Sequence, residues 1–244
     1  MERASVFSYI CNACGRCCRD KVIALSPYDV IAIARAALIS TGEAVRRYTI
    51  RRGSILKFSP DGDCSGLDGA RCSLHSGRPL ACRLYPLGME RDSGGVETFV
   101  RLEPAPGSAG VYGLDGTVAE FLAHQNVAAH LEMSAKYAAL LPIFRRRIAS
   151  ATNFERIEPR EFWRVAIREA LAESGYDPNR LIDALFDADA LGCAGEDAKA
   201  TANGHLGALA AMIESEADSA TLAAAAVLLA VSLGYSPGEL RTAV

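Results

Sequence analysis

The chain lacks any apolar run long enough to cross a bilayer. Its most apolar segment, residues 220–233, is alanine-rich and falls short of the roughly 20 residues that a spanning helix requires, so it reads as a buried helix. Also missing are a P-loop, a G-x-G-x-x-G, an H-E-x-x-H and a G-x-S-x-G. With them go the signatures of nucleotide cradling, zinc-protease chemistry and serine hydrolysis. Residues 1–10 carry charges and no apolar stretch of signal-peptide length, so nothing marks the chain for export and a cytoplasmic location is expected. The arginine runs Arg46-Arg47, Arg51-Arg52 and Arg145-Arg146-Arg147 have no interleaved aromatics, so neither nucleic acid nor membrane is an expected partner. Net charge is only −3, yet residues 1–147 hold 19 Lys+Arg against 14 Asp+Glu, and residues 148–244 hold 7 against 15. The two parts differ in character. No internal repeat emerges, and no segment is biased enough to read as disordered.

What the chain does have is sulfur. Eight cysteines stand in a 244-residue sequence that is 50% hydrophobic, which is enough to build a core without disulfides. In a reducing compartment such thiols point to metal or redox chemistry. Four of them fall within Cys11-Asn12-Ala13-Cys14-Gly15-Arg16-Cys17-Cys18, and Cys64, Cys72 and Cys82 follow in loop-like sequence. Cysteines two residues apart can fold back on one ion, and Cys11, Cys14 and Cys17 make two such pairs in succession. Cys17 and Cys18 are adjacent and point apart, so they serve different metal atoms or only one of them binds. Seven clustered thiols exceed one tetrahedral site. Two four-coordinate sites would need an eighth ligand, for which His75 is the candidate. Cys193 stands far away in a small-residue linker and is left out. Arg16, Arg19, Arg78 and Arg83 flank cysteines, where guanidinium groups offset the excess negative charge of bound thiolates.

Around these residues the elements read as follows. Residues 22–25 and 55–58 are short strands. Ser26 caps a helix with Pro27 at its first position and Asp29 in its first turn. A short helix spans residues 43–48 after Gly42. Turns at residues 60–63 and 66–69 make Cys64 and Cys72 the two arms of a hairpin. A helical turn between Arg78 and Pro86 carries Cys82. Residues 96–102 alternate as a strand, and the glycine- and proline-rich residues 103–116 form a loop. The remainder is helical: one helix from Val118 to about Leu140, bounded by Pro142; a face made by Trp163, Ala166, Ile167, Ala170 and Leu171; a helix after Asp177-Pro178 with Ile182, Leu185 and Phe186 inward; a linker at 192–195; and alanine-rich helices near 204–215 and 220–233.

Cys11-x2-Cys14-Gly15-x-Cys17-Cys18, Ser26-Pro27-Tyr28-Asp29, Cys64, Cys72-Ser73-Leu74-His75 and Arg78-Pro79-Leu80-Ala81-Cys82-Arg83-Leu84-Tyr85-Pro86 together resemble the CxxCxxCC cysteine-cluster family of zinc- or iron-chelating and iron–sulfur proteins. The resemblance covers residues 11–125. It implies metal ligation by Cys11, Cys14, Cys17, Cys18, Cys64, Cys72 and Cys82, with Arg78 and Arg83 beside the cofactor. Members often carry a further cysteine in a Cys-Pro-Gly step, where this chain has Ala105-Pro106-Gly107. That difference implies one cluster with spare thiols. The family also includes flagellin lysine N-methylases, which use S-adenosylmethionine.

The expectation is therefore an α+β protein. A cysteine-rich metal-binding domain with short strands spans residues 1–140, and a mainly helical domain spans residues 141–244. It is expected to hold an iron–sulfur cluster, [4Fe–4S] by preference, on Cys11, Cys14, Cys17 and one or more of the other four. Electron transfer with a redox partner, or S-adenosylmethionine-dependent methyl transfer, would follow. The alternative is a non-catalytic zinc module whose helical part binds another protein.

Overall fold

The computed structural model describes residues 1–91, 96–152, 179–215 and 222. Its first strand, β1 (Val6–Ile10), leads into the cysteine stretch, where a short 3-10 turn covers Arg16–Cys18. Helix α1 (Pro27–Ala37) begins on a complete capping box, in which Ser26 Oγ accepts from the Asp29 amide and the Asp29 carboxylate accepts from the Ser26 amide. It stops where Leu38 turns left-handed at φ 56°. Helix α2 (Thr41–Tyr48) follows, capped by Ser40, which accepts from the Glu43 amide at 3.1 Å.

Among the described residues, four two-stranded antiparallel sheets accompany the helices. Strand β2 (Thr49–Ile50) pairs with β3 (Ile55–Leu56), and β4 (Leu67–Asp68) pairs with β5 (Arg71–Cys72). After helix α3 (Leu80–Leu84), strand β6 (Leu87–Arg91) pairs with β7 (Glu97–Arg101). Strand β8 (Val111–Thr117) returns to β1, with Ile10 opposite Val111 and an irregularity between Val6 and Ser8. Helices α4 (Val118–His124), α5 (Val127–Ala138), α6 (Leu141–Thr152), α7 (Asn179–Phe186) and α8 (Ala198–Ser215) complete the described chain.

The larger apolar core gathers around α1. Leu25, Val30, Ile31 and Ile33 meet Met133 and Tyr137 of α5, Phe144 of α6, Leu185 and Phe186 of α7, and Leu209 and Ile213 of α8. The smaller core joins Phe7, Leu84, Leu87, Phe99, Phe121 and Leu122. Each such side chain, fully buried, contributes about 1.5–3 kcal/mol. Segment 72–84 lies between the two cores, with Leu74 in one and Leu84 in the other.

The α+β architecture, the capped start at Ser26 and the helix carrying Cys82 are as the sequence predicts; the predicted hairpin forms as β4–β5 with Cys72 on one arm, but Cys64 stands before the other and bridges to Phe58. Several elements differ. Residues 103–116 are not all loop, since β8 occupies 111–117. Glycine at 113 permits that pairing, because a Cβ there would lie 2.5 Å from Ser8 Oγ on β1. The helix from Val118 breaks at Asn126, whose φ of 52° separates α4 from α5, and Pro142 sits in the first turn of α6, where it is tolerated. Residues 22–25 make one bridge, Ala24 to Ile55, in place of a strand. Helix α2 incorporates Gly42, and α8 starts at Ala198. The predicted Trp163 to Leu171 face and the helix at 220–233 fall outside the described residues, Leu222 excepted. Among the described residues no helix is long and apolar enough to cross a membrane.

Candidate metal centre

Backbone pairing brings the first and second cysteine groups together. The Cys64 amide donates to the Cys18 carbonyl at 2.9 Å, the Asp20 amide donates to the Gly62 carbonyl at 2.9 Å, and Arg19 bridges to Asp63. An Arg19 to Asp63 ion pair of 3.0 Å closes the same edge. The β4–β5 hairpin then turns through Gly69, at φ 59°, and sets Cys72 opposite Leu67, just beyond Cys64. Segment 75–77 lies flat on α1: a Cβ at Gly77 would stand 2.1 Å from the Ala32 carbonyl oxygen. From there the chain enters α3 and delivers Cys82.

The seven thiols divide. Cys17, Cys18, Cys64, Cys72 and Cys82 form an inner set linked electrostatically through Cys17, and Cys14 also interacts with Cys17. Cys18 lies 3.9 Å from Cys17. Donation by the Cys18 thiol, opposed by burial and aided by the cations Lys21 and Arg78, brings Cys17 down to about 6. The Cys18 thiol is correspondingly pushed up. Burial raises Cys64, Cys72 and Cys82 as well, and neighbouring thiols, with Asp29 beside Cys82, add to the rise. Concentrated negative charge with little water is the common cause.

Amides aimed at sulfur oppose that rise. Cys64 Sγ accepts from the Gly66 amide at 3.4 Å. The Leu74 amide does the same for Cys72, and the Arg16 amide does so for Cys14. In all three the donor is two residues on from the cysteine, a local turn that stabilises the thiolate form a metal requires.

Cys11 and Cys14 form the outer pair. Cys11 is exposed. Cys14 is tied to the loop before β8, accepting from the Ala109 amide at 3.4 Å with Ser108 Oγ 4.0 Å away, and these contacts hold its thiol down. Asn12 donates to the Ala109 carbonyl at 2.6 Å.

The flanking cations have separate tasks. Arg78 faces Cys17 and Cys72, grips both ring nitrogens and the carbonyl of His75 at 2.9 to 3.2 Å, and bonds Gln125 Oε1. His75 is exposed, and its ring engages Arg78. The Arg83 side chain is buried and directs its donors at three carbonyls: Ser76 at 2.6 Å, Gln125 at 2.8 Å and Arg78 at 2.9 Å. Cys193 sits between α7 and α8, donating to the Leu191 carbonyl at 3.5 Å. Sequence reading overlooked Lys21 and the contacts of Ser108 and Ala109 with Cys14, although a lysine three residues beyond a cysteine pair is a visible signal.

The donor chemistry fits a soft metal ion or cluster. Sulfur is the one donor type free in the inner set, since Asp63 is paired with Arg19 and Asp29 accepts four hydrogen bonds. Among the described residues, no three His, Cys, Asp or Glu side chains converge tightly enough to grip an ion as they stand. Capture therefore requires side-chain rearrangement within a set the backbone has already assembled.

This is the arrangement of a sulfur-rich chelating domain carried on short hairpins. Residues 10–100 match the model of the CxxCxxCC family, described as a putative zinc- or iron-chelating domain. The resemblance drawn from the cysteine and Arg-Pro motifs holds for that segment, and the match supports metal binding there. No curated protein and no solved structure matches the chain significantly.

Proposed function

We propose that segment 10–100 holds an iron–sulfur cluster on the inner thiols, with four of Cys17, Cys18, Cys64, Cys72 and Cys82 as ligands. The observation that carries this reading is the donor set: Cys18, Cys64, Cys72 and Cys82 gather about Cys17, and thiolate sulfur is the donor that iron–sulfur clusters take. When bound, such a cluster supplies one-electron transfer. The chain's own residues provide the setting. Amides of Gly66 and Leu74 stabilise Cys64 and Cys72 as thiolates, while Arg78 offsets the charge of Cys17 and Cys72 and Lys21 that of Cys17.

A single zinc ion is the second reading. The β4–β5 hairpin favours it, because Cys64 and Cys72 flank one tight turn and each accepts an amide from two residues on. Metal analysis with an absorption spectrum on anaerobically purified protein decides between them. Brown protein with iron, sulfide and a broad band near roughly 400 nm, where thiolate-to-iron charge transfer falls, supports the cluster. Colourless protein with stoichiometric zinc sinks it and establishes the second reading.

A further inference from the structure

Asp29 lies outside the thiol set, yet it is built into the segment that presents Cys82. Its side chain is 4% exposed. Its carboxylate accepts four donors from three elements: the Ser26 amide at 2.9 Å and Ser26 Oγ at 2.8 Å at the start of α1, the Leu80 amide at 2.9 Å at the start of α3, and His130 Nδ1 at 2.8 Å from α5. A helix of five residues cannot hold itself together, and α3 has no side-chain cap of its own, because Pro79 occupies its N-cap. The Leu80 amide is one of the orphan donors at that end. Asp29 satisfies it from a neighbouring helix. The chain just before α3 is equally tied to α1, because Gly77 leaves no room for a Cβ against Ala32.

We infer that Asp29 is the positioning residue for Cys82: by capping α3 from α1, with His130 fixing the carboxylate, it sets the place of that thiol relative to Cys17, Cys64 and Cys72. The inference rests on the reading that these thiols bind metal, but it also makes a claim about the metal-free chain. Cap loss frees the first turn of α3 whether or not an ion is present.

The test uses the full chain with Asp29→Ala, Cys82→Ser and the double variant, each checked for folding by circular dichroism. Asp29→Asn, whose neutral oxygen caps Leu80 more weakly than the carboxylate does, stands in should Asp29→Ala fail to fold, and is read by the same hydrogen exchange, which should still quicken at residues 80–84. Cobalt(II) loading reads the number of thiolates from the intensity of the sulfur-to-cobalt charge-transfer band. The expected result is that Asp29→Ala loses one thiolate, as Cys82→Ser does, and that the double variant loses no more than either. In metal-free protein, hydrogen exchange of residues 80–84 should quicken at least about tenfold, while α8 is unchanged. An undiminished thiolate count, or losses that add in the double variant, overturns the inference. Should the native chain bind no cobalt, the exchange measurement alone decides on Asp29: unaltered protection of residues 80–84 rejects it, while the metal reading is decided separately by iron, sulfide and zinc content.

Discussion

Gly77→Ala isolates the contact that seats the second half of the thiol set on α1. Gly77 does not adopt a positive φ, so alanine is conformationally acceptable, and the entropy lost from the unfolded chain would by itself favour the variant by about 0.4–1 kcal/mol. Sterics point the other way. The new Cβ would stand 2.1 Å from the Ala32 carbonyl oxygen, 2.7 Å from its carbonyl carbon and 2.7 Å from Ala36 Cβ. Ordinary contacts between such atoms begin near roughly 3.5 Å, so the turn must lift from the helix by more than about 1 Å. Neither neighbour can rotate away, since one is helix backbone and the other a methyl fixed to it. Overpacking of this kind costs about 1–3 kcal/mol and sometimes more. Because the entropic term is the smaller, the net expectation is a loss of about 2 kcal/mol.

Urea unfolding measures this as a lowered midpoint with unchanged slope. Gly69→Ala supplies the comparison, because Gly69 has φ 59° and no atom within 4 Å of an added Cβ. Its loss is conformational alone, about 1 kcal/mol. A Gly77→Ala protein as stable as the native chain, or more stable than Gly69→Ala, would refute the reasoning.

Two further outcomes follow from buried polar groups. Arg83→Lys should destabilise the chain by about 2–4 kcal/mol, because an ammonium cannot span the three carbonyls of Ser76, Arg78 and Gln125; an unchanged urea midpoint would count against that role. His205 donates through Nε2 to the Ala184 carbonyl at 2.7 Å and accepts at Nδ1 from Tyr137 Oη at 2.8 Å, and burial holds its pKa below the ordinary histidine value. Protons therefore bind the unfolded chain preferentially: this contribution to stability is complete above about pH 6.5 and falls at lower pH by up to about 1.4 kcal/mol per unit until the folded pKa is passed. Urea titrations from about pH 7.5 to about pH 5 should show that slope in the native chain and its loss in His205→Gln; parallel curves for the two would reject the assignment.

What was legible in the sequence is what local chemistry fixes. The Ser26 to Asp29 box, the turn at Gly69 and the helical turn after Pro79 each depend on neighbouring residues, and each stands where the pattern places it. Strand β8 was hidden because its glycines read as loop and its partner, β1, lies about a hundred residues earlier in the chain. The break at Asn126 was hidden because Val118, Phe121 and Leu122 open an amphipathic helix and no proline or glycine stands between them and Pro142, while a left-handed asparagine interrupts the backbone. At the site, spacing identifies seven thiols without ranking them. Their division depends on the pairing of residues 18–20 with 62–64, which is tertiary.

That division bears on the loop at residues 105–109. It packs on Cys14 and on Arg16, the neighbour of Cys17. Gly107 lies beside Arg16, Ser108 and Ala109 contact Cys14, and the Ala105 amide donates to Tyr85, whose ring meets Tyr9 next to Cys11. The amides of Arg16 and Ala109 satisfy the Cys14 sulfur there. Cys82 depends instead on α1, through the Asp29 cap and the Gly77 contact, whereas Cys18 and Cys64 depend on the pairing of residues 18–20 with 62–64, so the two halves of the inner set are supported independently.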